Sequence, residues 1–193
     1  MNVVLIPCAS SDWREAGRIM GRVELDPAKQ GEEHCKGWVE KLRAASIDRI
    51  DTSPDDLCKR TAKLLAEKTG AAVKSIPKLD EVDVGLWAGL TLDQLKQRYE
   101  TAYRELCESP LHVTPPEGES FAHALERLST CMKKRIRKNG ITTLGFVLRP
   151  LAFALAQYAL LPEFEESDIW SAARAVCEPV YIDASPAPAS ANS

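Results

Sequence analysis

The chain has 193 residues, of which 45% are hydrophobic and 27% charged, and its formal net charge is −3 at pH 7. This length suits one domain with a sizeable core, and the charge balance gives no electrostatic reason to expect nucleic acid or an anionic membrane as a partner. The sequence shows no signal peptide and no run near the roughly 20 apolar residues of a membrane helix. We therefore expect a cytoplasmic protein with a single domain over residues 1–183 and a disordered tail over 184–193.

The first predicted element is a buried strand at the N-terminus. Val3, Val4, Leu5 and Ile6 form an apolar run without alternation, which is typical of a central strand in a parallel sheet. Pro7 has no N–H to donate and ends the strand. Since ligands bind at the carboxyl ends of such strands, the loop that begins at Cys8 is the first candidate site.

Apolar periodicity and turn signals predict an alternation of helices and short strands along the rest of the chain. In chain order, these are a helix from Asp26-Pro27 with an apolar face at Cys35, Trp38, Val39, Leu42 and Ala45, a strand over 47–52, a helix reaching Lys68 with Gly70 as its C-cap, a strand over 72–76, helices over 92–99 and 103–108, a long helix from Ser120, a strand over 141–148, a helix over 151–161 and an edge strand over 180–182.

The cysteines and histidines give no metal-binding pattern. The six cysteines are irregularly spaced without a Cys-x-x-Cys pair, so apart from Cys8 they are predicted to be free, mostly buried thiols. We expect no metal and no cofactor. Among the histidines, His34 and His123 are expected to be ordinary surface or boundary residues, and only His112 is expected to be near a pocket.

Four segments, taken together, form a recognisable pattern through their order and spacing along the chain. They are Trp13 with Gly17-Arg18-Ile19-Met20-Gly21, the turn Thr52-Ser53-Pro54, the segment Leu79-Asp80-Glu81-Val82-Asp83-Val84-Gly85-Leu86-Trp87-Ala88-Gly89-Leu90, and Gly118-Glu119-Ser120. Together they resemble the histidine phosphatase superfamily, with its phosphoglycerate-mutase-like fold. The resemblance implies a three-layer α/β/α sandwich with a mostly parallel central sheet, and an enzyme that hydrolyses or transfers phosphate groups.

The resemblance also assigns positions to the family's reacting residues. The family uses a histidine nucleophile, two arginines and a second histidine around the phosphate, and an acid that protonates the leaving oxygen. At these positions the chain has Cys8 for the nucleophile, Pro7 and Leu57 for the arginines, Arg149 for the second histidine and Glu81 for the acid. The resemblance further places Arg18 and Glu119 in the substrate-binding pocket.

These replacements predict an inactive family member, a pseudophosphatase. Charge-assisted hydrogen bonds contribute ~1.5–3 kcal/mol each, so the loss of two arginines removes roughly 3–6 kcal/mol of phosphate binding. Arg149 cannot act as a base because a guanidinium stays protonated. The expected fold is therefore that of the family, without its chemistry.

Two alternatives stay open. Cys8 and Arg14 have the Cys-x5-Arg spacing of cysteine-dependent phosphatases, which would make the chain an active phosphomonoesterase, although the loop has no glycine before Gly17. The other alternative is a binding module for a small anionic or phosphorylated ligand, or for a protein partner. In that case Arg149 and Glu81 either pair and close the site or stay apart and leave room for a ligand.

Overall fold

The computed structural model describes residues 1–137 and 140–183, so the expected tail lies outside the described residues. Its strands are β1 (Asn2–Pro7), β2 (Arg49–Thr52), β3 (Ala72–Ser75), β4 (Thr143–Leu148) and β5 (Val180–Asp183). They form one five-stranded sheet in the order β3-β2-β4-β1-β5. The pairs β1–β4, β2–β4 and β2–β3 are parallel, and β5 is antiparallel to β1. The predicted mostly parallel sheet is confirmed.

The helices surround this sheet. They are α1 (Asp12–Glu15), α2 (Lys29–Gly37), α3 (Val39–Ala44), α4 (Asp56–Thr69), α5 (Leu92–Arg98), α6 (Glu100–Glu108), α7 (Phe121–Ile136), α8 (Pro150–Leu160) and α9 (Asp168–Arg174), with 3₁₀ turns at Pro77–Leu79, Gly85–Trp87 and Pro110–His112. Within the described residues, no helix combines the length and the apolar character that crossing a bilayer requires.

The residues of β1 alternate between two hydrophobic clusters. Val3 and Leu5 belong to the larger cluster, with apolar residues of α5 to α9, and Val4 and Ile6 belong to the smaller one, with residues of α2, α3 and α4. Since neighbouring residues of a strand point to opposite faces, helices cover both faces of the sheet. This arrangement confirms the three layers expected from the unbroken apolar run.

The helix predicted from Asp26-Pro27 differs from the observed structure. It begins at Lys29 and is interrupted at Trp38, where Trp38 N–H bonds to Cys35 O instead of continuing the α-helical ladder. Gly37 is the last residue before the break, and glycine disfavours helix more than any residue except proline. The predicted apolar face is nevertheless buried at Cys35, Trp38 and Leu42.

The turn between β2 and α4 points the N-terminus of α4 toward the carboxyl edge of the sheet. Asp55 is the N-cap and its side chain accepts a hydrogen bond from Cys58 N–H at 3.0 Å. At the other end, Gly70 adopts the left-handed conformation with φ of 78°, as predicted for a C-cap glycine. Leu57, in the first turn of α4, is fully buried.

Candidate functional site

Three parallel strands end side by side at one edge of the sheet. Cys8 N–H, just after β1, donates to Leu148 O at 2.8 Å, and Ser53 N–H, just after β2, donates to Val147 O at 3.1 Å. These bonds extend the ladder one residue past each strand and fix the residues that follow. Cys8, Ser53 and Arg149 therefore lie at the edge where open α/β sheets bind ligands.

Cys8 is nearly enclosed. Its side chain is 7% exposed, and the N–H of the next residue, Ala9, donates to Thr61 Oγ1 of α4 at 3.0 Å. Burial, and then the hydrogen bond to the Cys8 thiol, raise the pKa of the Cys58 thiol well above its usual value. The backbone donors of Cys8 and Ala9 are thus both used within the fold.

Arg149 is buried completely at the end of β4. Its Nη1 donates to Val23 O at 2.7 Å and lies 3.9 Å from Asp55 Oδ1. Its Nε and Nη2 have no hydrogen-bond partner among the residues that the structure describes. The guanidinium is therefore held between the loop that precedes α2 and the N-cap of α4, beneath the surface of the site.

Glu81 is also buried, with 1% exposure, and its carboxylate caps α8. Oε2 accepts from Leu151 N–H at 3.0 Å, and Oε1 accepts from Ala152 N–H at 2.7 Å and from Val82 N–H at 2.8 Å. Pro150 opens this helix and Arg149, its N-cap, forms no side-chain cap bond. Glu81 therefore satisfies the helix N–H groups that have no partner within the helix.

The charge state of Glu81 follows from two opposing effects. Burial is the larger effect, and it raises the pKa of the Glu81 carboxyl above its usual value. Arg149 and the three N–H donors act in the opposite direction. No nitrogen of Arg149 lies within the 4.0 Å ion-pair distance of a Glu81 oxygen; both residues are among those the structure describes. The two residues stay apart, and the site is not closed by a direct ion pair.

Glu119 supports the Glu81 segment. Its Oε1 lies 2.6 Å from both Arg22 Nη2 and Arg127 Nη2. The same two arginines donate to the backbone carbonyl of Glu81, Arg22 at 2.8 Å and Arg127 at 3.3 Å. The structure thus places Glu119 in an ion network that holds the backbone of Glu81.

Two cavities open near this edge, and they divide the expected site residues. The first, of about 130 Å³, is lined by Glu81 and Arg18. The second, of about 340 Å³, is lined by Pro7 and Cys8. Arg14 lines both. The positions expected for the nucleophile and for the acid therefore lie on different cavities.

Several lining residues were not singled out by the sequence analysis. His34 is exposed, as expected of a surface residue, and it lies at the second cavity, 2.9 Å from Glu178. His112 lines neither cavity. Trp170 and Arg174 line the first cavity from α9, a helix whose signal was an apolar spacing at Ile169, Trp170 and Ala173.

No metal centre is formed by the described residues, since no group of three or more His, Cys, Asp or Glu side chains is placed to hold an ion. The arrangement instead offers guanidinium groups beside apolar surface. Such a site can bind and orient an anion.

Comparisons of the sequence and of the fold with known proteins agree on one family. The model of the histidine phosphatase superfamily (branch 1) matches residues 3–172. Phosphoserine phosphatase 1 of Hydrogenobacter thermophilus is 26% identical over 171 residues, which cover 89% of this chain and 81% of the relative. A probable phosphoglycerate mutase of Cronobacter sakazakii is 28% identical over 128 residues, covering 66% of this chain and 60% of the mutase. The solved structure of YhfR from Bacillus stearothermophilus is similar in fold, with a TM-score of 0.78 at 19% identity and coverage of 88% and 84%.

Proposed function

Because the chain belongs to the histidine phosphatase superfamily, we propose that it is a member without phosphoryl-transfer activity that binds a small anionic ligand at the remodelled site. The observation that carries this proposal is Arg149. It follows β4 where the family resemblance expects a second histidine, and its buried guanidinium is fixed on Val23 O and near Asp55. A guanidinium neither accepts a proton nor takes up a phosphoryl group.

The surroundings of Cys8 support the same proposal. A thiolate nucleophile needs a lowered pKa and free N–H donors around the bound anion. The N–H groups of Cys8 and Ala9 are donated to Leu148 O and Thr61 Oγ1. Leu57, where the resemblance expects a phosphate-binding arginine, is fully buried in the smaller core cluster.

Glu81 has a structural role that needs no catalysis. A proton donor to a leaving group has to reach the substrate with a transferable proton. Both oxygens of Glu81 face N–H groups of α8 or of Val82. This capping supports a reading in which Glu81 holds the start of α8 and the adjacent cavity in shape.

The relatives support a small ligand. The name of the Hydrogenobacter relative describes action on phosphoserine, a small phosphorylated compound. The guanidinium groups of Arg14 and Arg18 on the first cavity supply the matching charge for a small anion. We include a cytoplasmic location in the proposal, supported by six cysteines that are all free thiols.

One observation favours an active phosphomonoesterase as a second candidate. Cys8 and Arg14, which have the Cys-x5-Arg spacing, line the same cavity as His34. Against it, Arg14 Nη2 already bonds to Ala175 O and contacts Cys177 Sγ at 3.8 Å. Together with the bonds already made by Cys8 N–H and Ala9 N–H, this contact reduces the donors that could cradle a phosphate beside Cys8.

Hydrolysis of an activated aryl phosphate separates the two candidates. Purified wild-type protein, Cys8→Ser and Glu81→Gln are assayed from acid to alkaline pH. We expect the wild-type rate to equal that of both variants, because none of them transfers phosphate at this site. Turnover that disappears in Cys8→Ser would make Cys8 a substitute nucleophile, and turnover that falls in Glu81→Gln would restore Glu81 as the acid; either result rejects the proposed function.

A further inference from the structure

The first cavity has an apolar interior and a cationic rim. Its enclosed lining includes Met20, Leu151, Trp170 and Ala173, each 4–6% exposed. At about 130 Å³, it is close to the engineered cavity of ~150 Å³ that accepts benzene. The interior therefore has room for an apolar group of roughly one ring.

Three arginines surround the opening from different parts of the fold. Arg14 comes from α1, Arg18 from the loop that follows it, and Arg174 from the last turn of α9. Arg18 and Arg174 are exposed and Arg14 is half-buried. The positive charge is thus concentrated at the mouth of the cavity, above its apolar interior.

These arginines form no ion pair within the part of the chain that the structure describes. Among the described residues, none of the three has a carboxylate within the 4.0 Å ion-pair distance. Arg18 Nη1 donates to the backbone at Gly89 O, at 2.7 Å, and Arg14 Nη2 donates to Ala175 O, but each guanidinium has five N–H donors. Donors therefore remain for an anion at the mouth.

Glu81 is the acidic residue in the cavity lining, and it limits where an anion can lie. Its two oxygens already accept hydrogen bonds from the N–H groups of Leu151 and Ala152 in α8. These N–H groups are therefore not free for a ligand, and the anionic group has to lie at the arginines. The arginine donors, which sit at an exposed rim rather than in an enclosed cradle, match the two oxygens of a planar carboxylate.

We infer that this cavity is a binding site for a small carboxylate with an apolar body of about one ring, the ring lying against Met20, Leu151 and Trp170 and the carboxylate lying at Arg14, Arg18 and Arg174. The inference rests on the proposed function and narrows its ligand from any small anion to an amphipathic carboxylate. It assigns Arg174 and Trp170 of α9 a binding role.

Benzoate is the probe that tests the site. Isothermal titration at fixed ionic strength compares benzoate with three matched compounds: benzyl alcohol lacks the charge, acetate lacks the ring, and phenyl phosphate carries a dianionic group. We expect saturable benzoate binding, with each of the other three at least tenfold weaker. Absence of benzoate binding, equal binding of benzyl alcohol or acetate, or tighter binding of phenyl phosphate would each overturn the inference.

Arg174→Gln tests the assigned cation, with Arg98→Gln as its matched control. Both arginines lie in the last turn of a helix and both are exposed, but only Arg174 lines the cavity. We expect the dissociation constant for benzoate to rise at least tenfold in Arg174→Gln and to be unchanged in Arg98→Gln. Equal constants in wild type and Arg174→Gln would show that benzoate binds elsewhere and would reject the site.

The titration tests the binding site and the phosphatase assay tests the proposed function, so the two claims can be rejected independently. Lack of benzoate binding together with lack of turnover would reject this site and leave the proposed function standing. Benzoate binding together with turnover that depends on Cys8 would reject the proposed function and support the site.

Discussion

At the scale of single residues, Arg149 carries a charge that the fold has to compensate. It is fully buried, and only one of its guanidinium nitrogens has a hydrogen-bond partner in the described part of the chain. Arg149 Nη1 lies 3.9 Å from Asp55 Oδ1, and Asp55 Oδ2 has no hydrogen-bond partner among the described residues. The two side chains compensate each other's buried charge. Removal of either one leaves the other as an uncompensated buried charge, which destabilises the folded protein.

Arg149→Met is expected to lower the free energy of unfolding by about 3 kcal/mol, because it leaves Asp55 buried without its cation. The double variant Arg149→Met with Asp55→Asn should recover much of that loss, since asparagine keeps the N-cap bond of α4 without the charge. Urea denaturation of wild type, both single variants and the double variant measures the coupling. Additive losses would contradict a compensating pair.

Glu81 should make stability depend on pH. Burial raises its pKa in the folded protein above its ordinary value of 4.5, so the folded state holds this proton more tightly than the unfolded state. The stabilisation from Glu81 is then fully present below the unfolded pKa and is lost as pH rises through the folded pKa, by about 1.4 kcal/mol per unit of difference.

The difference in unfolding free energy between wild type and Glu81→Gln isolates this effect, because glutamine does not titrate and the other carboxyls cancel. We expect the difference, wild type minus variant, to fall as pH rises from about 4 to 8. Urea denaturation at several pH values measures it. A difference that grows with pH would mean that the N–H donors of α8 and Arg149 outweigh burial.

At the scale of elements, the approach of α2 to the first loop depends on a glycine. A Cβ at Gly31 would lie 2.5 Å from both Ser10 N and Ser10 O, whereas a Cβ at Gly37 in the same helix meets nothing within 4 Å. Ser10 O also accepts from Ala28 N–H at 2.8 Å. The backbone of α2 therefore packs directly on the loop that follows Cys8.

Gly31→Ala is expected to destabilise the protein by about 1–3 kcal/mol, because backbone atoms have to move to admit the methyl group. Gly37→Ala serves as the control and should stabilise it by about 0.5 kcal/mol through helix propensity alone. Thermal or urea unfolding of the two variants measures both effects. Equal effects of the two substitutions would show that the close approach at Ser10 is not maintained.

At the scale of the whole molecule, the two hydrophobic clusters share the same strands. In β4, Phe146 belongs to the larger cluster and Val147 to the smaller, as neighbouring residues of β1 also do. Neither cluster can be exposed without breaking the ladder that buries the other. The two faces should therefore unfold together.

Cys58 and Cys131 report on the two faces, since Cys58 is fully buried in the smaller cluster and Cys131 is 8% exposed in the larger one. Pulse labelling of thiols across a urea series, read by mass spectrometry at each cysteine, should give one midpoint for both, equal to that from circular dichroism. Separate midpoints for the two cysteines would contradict the shared unfolding of the faces.

The sequence by itself determined the family, through the order and spacing of its motifs, and the succession of strands and helices along the chain. An unbroken apolar run predicts a strand covered on both faces, and a guanidinium such as that of Arg149 cannot act as a base whatever surrounds it. The strand ends also bring Cys8 and Arg149 to one edge, because parallel strands align their carboxyl ends. These conclusions follow from local pattern and from side-chain chemistry alone.

Only the tertiary structure decided where the functional groups of these side chains lie. Arg149 bonds to Val23, 126 residues away in sequence, and Glu81 caps a helix about 70 residues further along the chain. Arg14 and Arg174 meet at one cavity from α1 and α9. Such contacts depend on packing between distant segments, and neither the period of a strand nor that of a helix encodes which partner a long polar side chain finds once it is buried.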